Sequence, residues 1–199
     1  MWTQAEVVAL REMCGRLGVD PRNLVKLMCH ESGCSPAAHN PGGAVGLIQF
    51  EPDTLRDEGW TAGVDAFARL SVLEQIPYVE RYFRARQGAI LAAGGGLGPL
   101  YVATFLPALI PGSGDMTHVL CATHGPLAWA YAANRAFDAD SKGWITVGDM
   151  VNAADGAYAK SATGQAIVAA LDGLEAPVAE SPVEASLDVP LGAEPSTSG

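Results

Sequence analysis

The sequence predicts a mainly α domain over residues 1–174, followed by an acidic tail over 175–199 that is expected to be disordered. Three observations carry this reading. Apolar residues recur at helical spacing through most of the first 174 positions. Helix-opening signals (Thr3 with Glu6, Asp20 before Pro21, Thr146 with Asp149) punctuate that stretch. The composition then changes after Leu174 to Pro, Glu and Ser with few large apolar groups to bury.

The first helix opens at a Thr3–Glu6 capping box, runs through Val7, Leu10, Met13, Cys14 and Leu17, and stops at Gly18. Asp20 and Pro21 open a second helix with Leu24, Leu27, Met28 and Glu31 on one face, ended by Gly33. Ser35 to Gly46 is rich in Pro, Gly and Asn and reads as a loop; Gly46–Phe50 is too short to assign. Further helices are expected over Pro52–Glu58, Val64–Gly88, Leu100–Leu109, Asp115–Arg135 (either continuous or broken at Gly125-Pro126), Val147–Ala159 and Gly164–Leu174. There is no internal repeat.

A chain of 199 residues with 17% charged and 49% hydrophobic residues fits one domain with a short appendage, and is neither a coiled coil nor disordered throughout. The net charge of −10 argues against a nucleic-acid partner, because a phosphate backbone demands positive charge. Much of that acidity is local. Glu175, Glu180, Glu184, Asp188 and Glu194 have no base among them, and setting these five aside from 22 leaves 17 acids against 12 bases. Between Arg86 and Asp115, 28 residues carry no charge, but Gly94–Gly96, Pro99 and Pro107 divide that run, so a buried helix rather than a membrane span is expected. The first residues lack a basic segment followed by an apolar one, so no signal peptide is expected. Cys14, Cys29, Cys34 and Cys121 have no metal spacing; Cys29 and Cys34 either stay buried free thiols or pair around a helix end.

Glu31 is the candidate catalytic residue. It lies on the apolar stripe of the second helix, in its last turn. Burial and the negative end of the helix dipole both favour the protonated carboxyl that a general acid for glycoside cleavage requires. The alternative is a helix-end glutamate that points to water.

The surrounding motif is informative. Glu31-Ser32, then Gly43-Ala44, Gly46-Leu47-Ile48-Gln49 and Pro52-Asp53-Thr54 follow in order. This resembles the signature of the soluble-type (SLT) lytic transglycosylases, whose fold is shared with goose-type lysozyme, over about residues 20–60. Ile48 stands where the family has Met. The resemblance implies a lysozyme-like helical domain, Glu31 as catalytic acid/base, Ser32 as its orienting neighbour, and Gly46, Leu47, Ile48 and Gln49 lining the sugar groove. The family's Ala-Tyr-Asn-Ala-Gly element is absent. Its nearest counterpart is Tyr101, 70 positions after Glu31, in a stretch resembling phage-borne members; Tyr101 otherwise packs as a core residue. The implied substrate is the glycan strand of peptidoglycan, with no cofactor, and phage virion or tail proteins as further partners.

Residues 138–149 fit a calcium loop at positions one, three, six, eight and twelve, but Lys142 stands where a ligand belongs and Asp149 is shorter than the usual Glu, so a polar turn before a capped helix is expected and no metal. His30, His39, His118 and His124 lack zinc spacing, and core packing is expected for Trp2, Trp60, Trp129 and Trp144, with stacking on a sugar as the alternative for one of them. Glu51, Asp53, Asp57 and Glu58 read as a solvated helix start. The expected reaction cleaves the β-1,4 bond between N-acetylmuramic acid and N-acetylglucosamine, the muramyl 6-hydroxyl closing a 1,6-anhydro product. The alternatives are a hydrolytic lysozyme with a second, water-activating carboxylate, and a non-catalytic virion or tail protein. Delivery by a phage particle or release to the host cell wall completes the expectation.

Overall fold

A computed structural model describes residues 1–175. The tail expected beyond Leu174 therefore lies outside the described residues, except that Glu175 closes the last helix.

Within that range the chain is helical with one small hairpin. The helices are α1 (Gln4–Leu17), α2 (Pro21–Ser32), α3 (Pro52–Asp57), α4 (Val64–Phe67), α5 (Val72–Arg84), α6 (Gln87–Ala92), α7 (Leu97–Phe105), α8 (Ala128–Ala133), α9 (Val147–Lys160) and α10 (Ala162–Glu175). The strands β1 (Val119–Ala122) and β2 (Trp144–Thr146) pair antiparallel. Single 3-10 turns occupy Pro107–Leu109 and Arg135–Phe137.

The caps read from sequence are present. The Thr3 hydroxyl accepts from the Glu6 N–H while the Glu6 carboxylate accepts from the Thr3 N–H, and Thr146 and Asp149 repeat this at α9. The Asp20 carboxylate accepts from the Arg22 N–H, and Pro21 occupies the first turn of α2.

Two expected helices are corrected. Val64–Gly88 is not continuous: Ser71 adopts an extended backbone and caps α5 with Glu74, which forces a break after α4. Asp115–Arg135 is largely not helix. The Asp115 carboxylate accepts from the Thr117 N–H and hydroxyl, the next residues pair as β1 with β2, and helix resumes only at α8, beyond Gly125-Pro126.

Helix α2 runs through the centre. Leu24, Val25, Leu27, Met28 and Cys29 are buried, and the helix packs against α9, α7, α10 and α1. A polar helix end is thus held inside an apolar frame. The charge-free run becomes α6, α7 and a 3-10 turn; no helix among the described residues is long and apolar enough to cross a membrane.

Candidate active site

The end of α2 sets the site. Gly33 takes a left-handed backbone (φ 61°) and its N–H donates to the Cys29 carbonyl, so the chain turns sharply just after Ser32. Glu31, three and four positions beyond Met28 and Leu27, lies at the edge of the buried stripe with 20% of its side chain exposed.

The loop that faces this turn is folded on itself. Val45 and Phe50 exchange backbone hydrogen bonds of 3.0 and 2.8 Å, and the Gly46 N–H donates to the Ala38 carbonyl. The buried Gln75 of α5 holds it from behind. Its Oε1 accepts from the Leu47 N–H (3.1 Å) and its amide donates to the Pro36 and Phe67 carbonyls. A Cβ at Gly46 would meet Gln75 Oε1 at 2.7 Å and Phe67 Cε1 at 2.9 Å, and φ there is 81°. Only glycine fits that approach. The Ser32 hydroxyl lies within hydrogen-bond reach of the Met28 and Leu47 carbonyls, tying helix end to loop.

The third wall is α7. Tyr101 is only 2% exposed, yet its hydroxyl reaches the site and hydrogen-bonds to Nδ1 of His30. Burial, with the charge of Glu31 and a hydrogen bond to it, pushes the Tyr101 phenol well above its ordinary range, so the hydroxyl keeps its proton. Tyr101 is thus a core side chain with its polar tip at the cleft. The His30 ring stacks on Phe137 at 5.3 Å between centroids, and its Nδ1 lies 3.8 Å from Oε1 of Glu31.

These walls enclose a cleft of about 490 Å³, a size suited to a saccharide unit or more. Glu31, Ile48, Gln49 and Tyr101, all singled out from sequence, line it. Ser32, Gly46 and Leu47 lie behind that lining and shape the loop. The cleft also takes His30, Asn40, Glu51, Trp129, Asn134 and Phe137. His30 carries a signal that was readable, its adjacency to Glu31, and Asn134 a weaker one, its stretch resembling phage-borne members; tertiary packing is what brings Trp129 of α8 to the groove. Trp129 does not pack in the core: it is 63% exposed at the cleft edge, and Trp144 is 43% exposed on the hairpin, because α8 and β2 are surface elements. Glu51 is part of the lining, whereas Asp53 pairs with Arg56 away from it.

Residues 10–71 match the family model described as the transglycosylase SLT domain. Over that segment the chain is similar to the SLT domain. The matched SLT segment contains α2, the loop and α3, hence Glu31, Ile48 and Gln49; Tyr101 and the far wall lie outside it. No curated protein and no solved structure matches the chain. An SLT domain is of the peptidoglycan-acting, glycosidic-bond-cleaving type.

The Asp138–Asp149 turn below the far wall holds an internal cation. Lys142 Nζ lies 2.8 Å from Asp149, 3.1 Å from Asp140 and 3.6 Å from Asp138. The ammonium stands where a calcium loop would centre its ion, and among the described residues no group of His, Cys, Asp and Glu could hold a metal.

Proposed function

We propose that the protein is a lytic transglycosylase cleaving the β-1,4 bond between N-acetylmuramic acid and N-acetylglucosamine. The observation that carries this reading is Glu31: a partly shielded carboxyl at a helix end, within the SLT segment, facing a saccharide-sized cleft. Glu31 protonates the glycosidic oxygen as the bond to the muramyl C1 breaks. The resulting carboxylate takes the proton of the muramyl 6-hydroxyl as that oxygen closes on C1. The Tyr101 hydroxyl orients the carboxyl, and the loop residues Ile48 and Gln49 hold the sugar. Neither water nor a second carboxylate is required.

The test is a digest of purified peptidoglycan followed by mass spectrometry. Wild type releases 1,6-anhydromuramyl fragments, and Glu31→Gln loses activity by about 10²–10⁴-fold or more. Equal clearing by the two, or none by either, sinks the catalytic reading and leaves the non-catalytic virion or tail protein. A phage-encoded enzyme acting on the host wall is part of the proposal, supported by the sequence around Tyr101.

One observation favours a second reading. Glu51 lines the same cleft as Glu31. A carboxylate across the groove with room for water between would make the protein an inverting lysozyme. Reducing ends in place of anhydro ends in the same digest would establish it.

A further inference from the structure

Two sulfurs flank the catalytic turn and take no part in the chemistry above. Cys29 and Cys34 are free thiols, 7% and 2% exposed, with Sγ atoms 3.2 Å apart. A disulfide needs about 2.05 Å, so a side-chain shift on the order of 1 Å joins them. The backbone already brings their attachment points together. The Gly33 N–H bonds back to the Cys29 carbonyl and the Cys34 N–H to the Met28 carbonyl, which folds residue 34 over the last turn of α2.

The two sulfurs are not equivalent. Cys29 Sγ sits against the N-terminus of the 14-residue helix α10, close enough that a Cβ at Gly164 would meet it at 2.2 Å. The Cys34 thiol and the Ser161 hydroxyl both hydrogen-bond to it, which brings its pKa down to about 7 although burial works the other way. The same contact pushes Cys34 up. Cys14 and Cys121 have no sulfur beside them, and burial pushes both up, Cys14 to about 12.

We propose that Cys29 and Cys34 are an oxidisable pair that closes into a disulfide across the turn carrying Glu31, with Cys29 as the attacking sulfur and Cys34 as the resolving one. The oxidant is a small-molecule disulfide. The Cys29 thiolate attacks one of its sulfurs, a mixed disulfide forms, and one small thiolate leaves with the electron pair. Cys34 then loses its proton and attacks the Cys29 sulfur, the protein disulfide forms, and the second small thiolate leaves. Two protein thiols are oxidised and one external disulfide is reduced to two thiols. The bond pins Glu31 and Ser32 inside a six-residue ring. The inference rests on the wall-directed reading only for where the oxidant is met, outside the reducing cytoplasm.

The test treats the reduced full-length chain with oxidised glutathione at neutral pH and counts thiols by native mass spectrometry and peptide mapping. The expected result is a fall from four free thiols to two, a loss of two hydrogens, a bond mapped to Cys29 and Cys34, and a raised Tm. In the same treatment Cys34→Ser stops at a glutathione adduct on Cys29, and Cys29→Ser does not react. Retention of four thiols, a stable adduct on wild type, or a bond involving Cys14 or Cys121 overturns the proposal. None of these readouts depends on cleaving peptidoglycan, so they fail or succeed independently of Glu31.

Discussion

Nδ1 of His30 lies 3.8 Å from Oε1 of Glu31 and is hydrogen-bonded to the Tyr101 hydroxyl. Imidazole, phenol and carboxyl thus share one small space, and each limits where the others point. Tyr101→Phe keeps the buried ring and removes only the hydroxyl. His30→Phe keeps an aromatic ring against Phe137 and removes only the nitrogen. Each is expected to lower the rate of peptidoglycan cleavage by about tenfold, the equivalent of about 1.4 kcal/mol. The double variant should cost less than the product of the two, because both delete the same hydrogen bond. Rates of muropeptide release for the four proteins check this; strictly multiplicative losses would show that the two groups act separately.

Glu51 separates the two glycosidase chemistries. Its cleft position suits a water-activating base, yet the transglycosylase route has no step for it. Glu51→Gln is expected to keep activity within a few-fold and leave the products anhydro. A loss comparable with that of Glu31→Gln, with reducing ends in the wild-type digest, would make the protein a lysozyme.

Much of the site was legible in the sequence because its signals are local. The helix end and its Gly33 stop depend on neighbours a few residues away, which placed Glu31 in a last helical turn; Ile48 and Gln49 were set beside it by the resemblance of the motif, the segment itself being too short to assign. What stayed hidden is what packing decides. Gln75 reads as an ordinary helix residue, yet its buried amide anchors the loop from 28 positions away. The hairpin escaped for the same reason: β1 gains its hydrogen bonds from β2, more than 20 residues on, while its own stretch of sequence looks apolar enough for a helix. Trp129 was misjudged because exposure belongs to the surface position of α8, not to the residue type.

Trp129 offers a flat apolar face at the rim of the cleft. Sugar rings stack on such faces, and the exposed position means that little of the fold leans on it. Trp129→Ala is expected to raise KM for glycan strands by about tenfold, a loss of about 1.4 kcal/mol, with kcat and Tm little changed. A fall in kcat at unchanged KM would instead give Trp129 a part in the transition state.

The loop is expected to be intolerant at Gly46. An alanine there must adopt a left-handed backbone and push against both Gln75 and Phe67. Gly46→Ala should destabilise the protein by about 1–3 kcal/mol, and Tm falls by about 2–4 °C for each of these in a chain of this size. Gln75→Leu should destabilise by a similar amount, about 1–3 kcal/mol, since it leaves the buried Leu47 N–H without an acceptor. Thermal melts of both decide the matter; unchanged Tm values would mean that the loop has room to shift.

The Lys142 cluster sets a pH window for stability. Burial pushes the Asp138 carboxyl up, but hydrogen bonds from the Tyr131 hydroxyl and the Gly143 and Lys142 N–H groups outweigh it and hold the group down at about 2. Asp149 is likewise lowered, with its Lys142 contact overcoming burial, and hydrogen bonding to Asp149 raises Lys142. A carboxyl with a depressed folded-state value stabilises fully above its unfolded value, about 3.9, and loses that contribution as pH falls toward about 2. The raised lysine stabilises fully below its unfolded value, about 10.4, and loses its contribution as pH climbs beyond that. Tm should therefore be flat with respect to this cluster between about pH 5 and 9, and fall on either side. Lys142→Ala removes the shared counter-ion of three carboxylates, so Tm should drop by several degrees at neutral pH and the acid limb should shrink. Because the ammonium fills the centre of the turn, millimolar calcium should leave the wild-type Tm unchanged. A calcium-dependent rise would show that the ion displaces Lys142 and that residues 138–149 bind it after all.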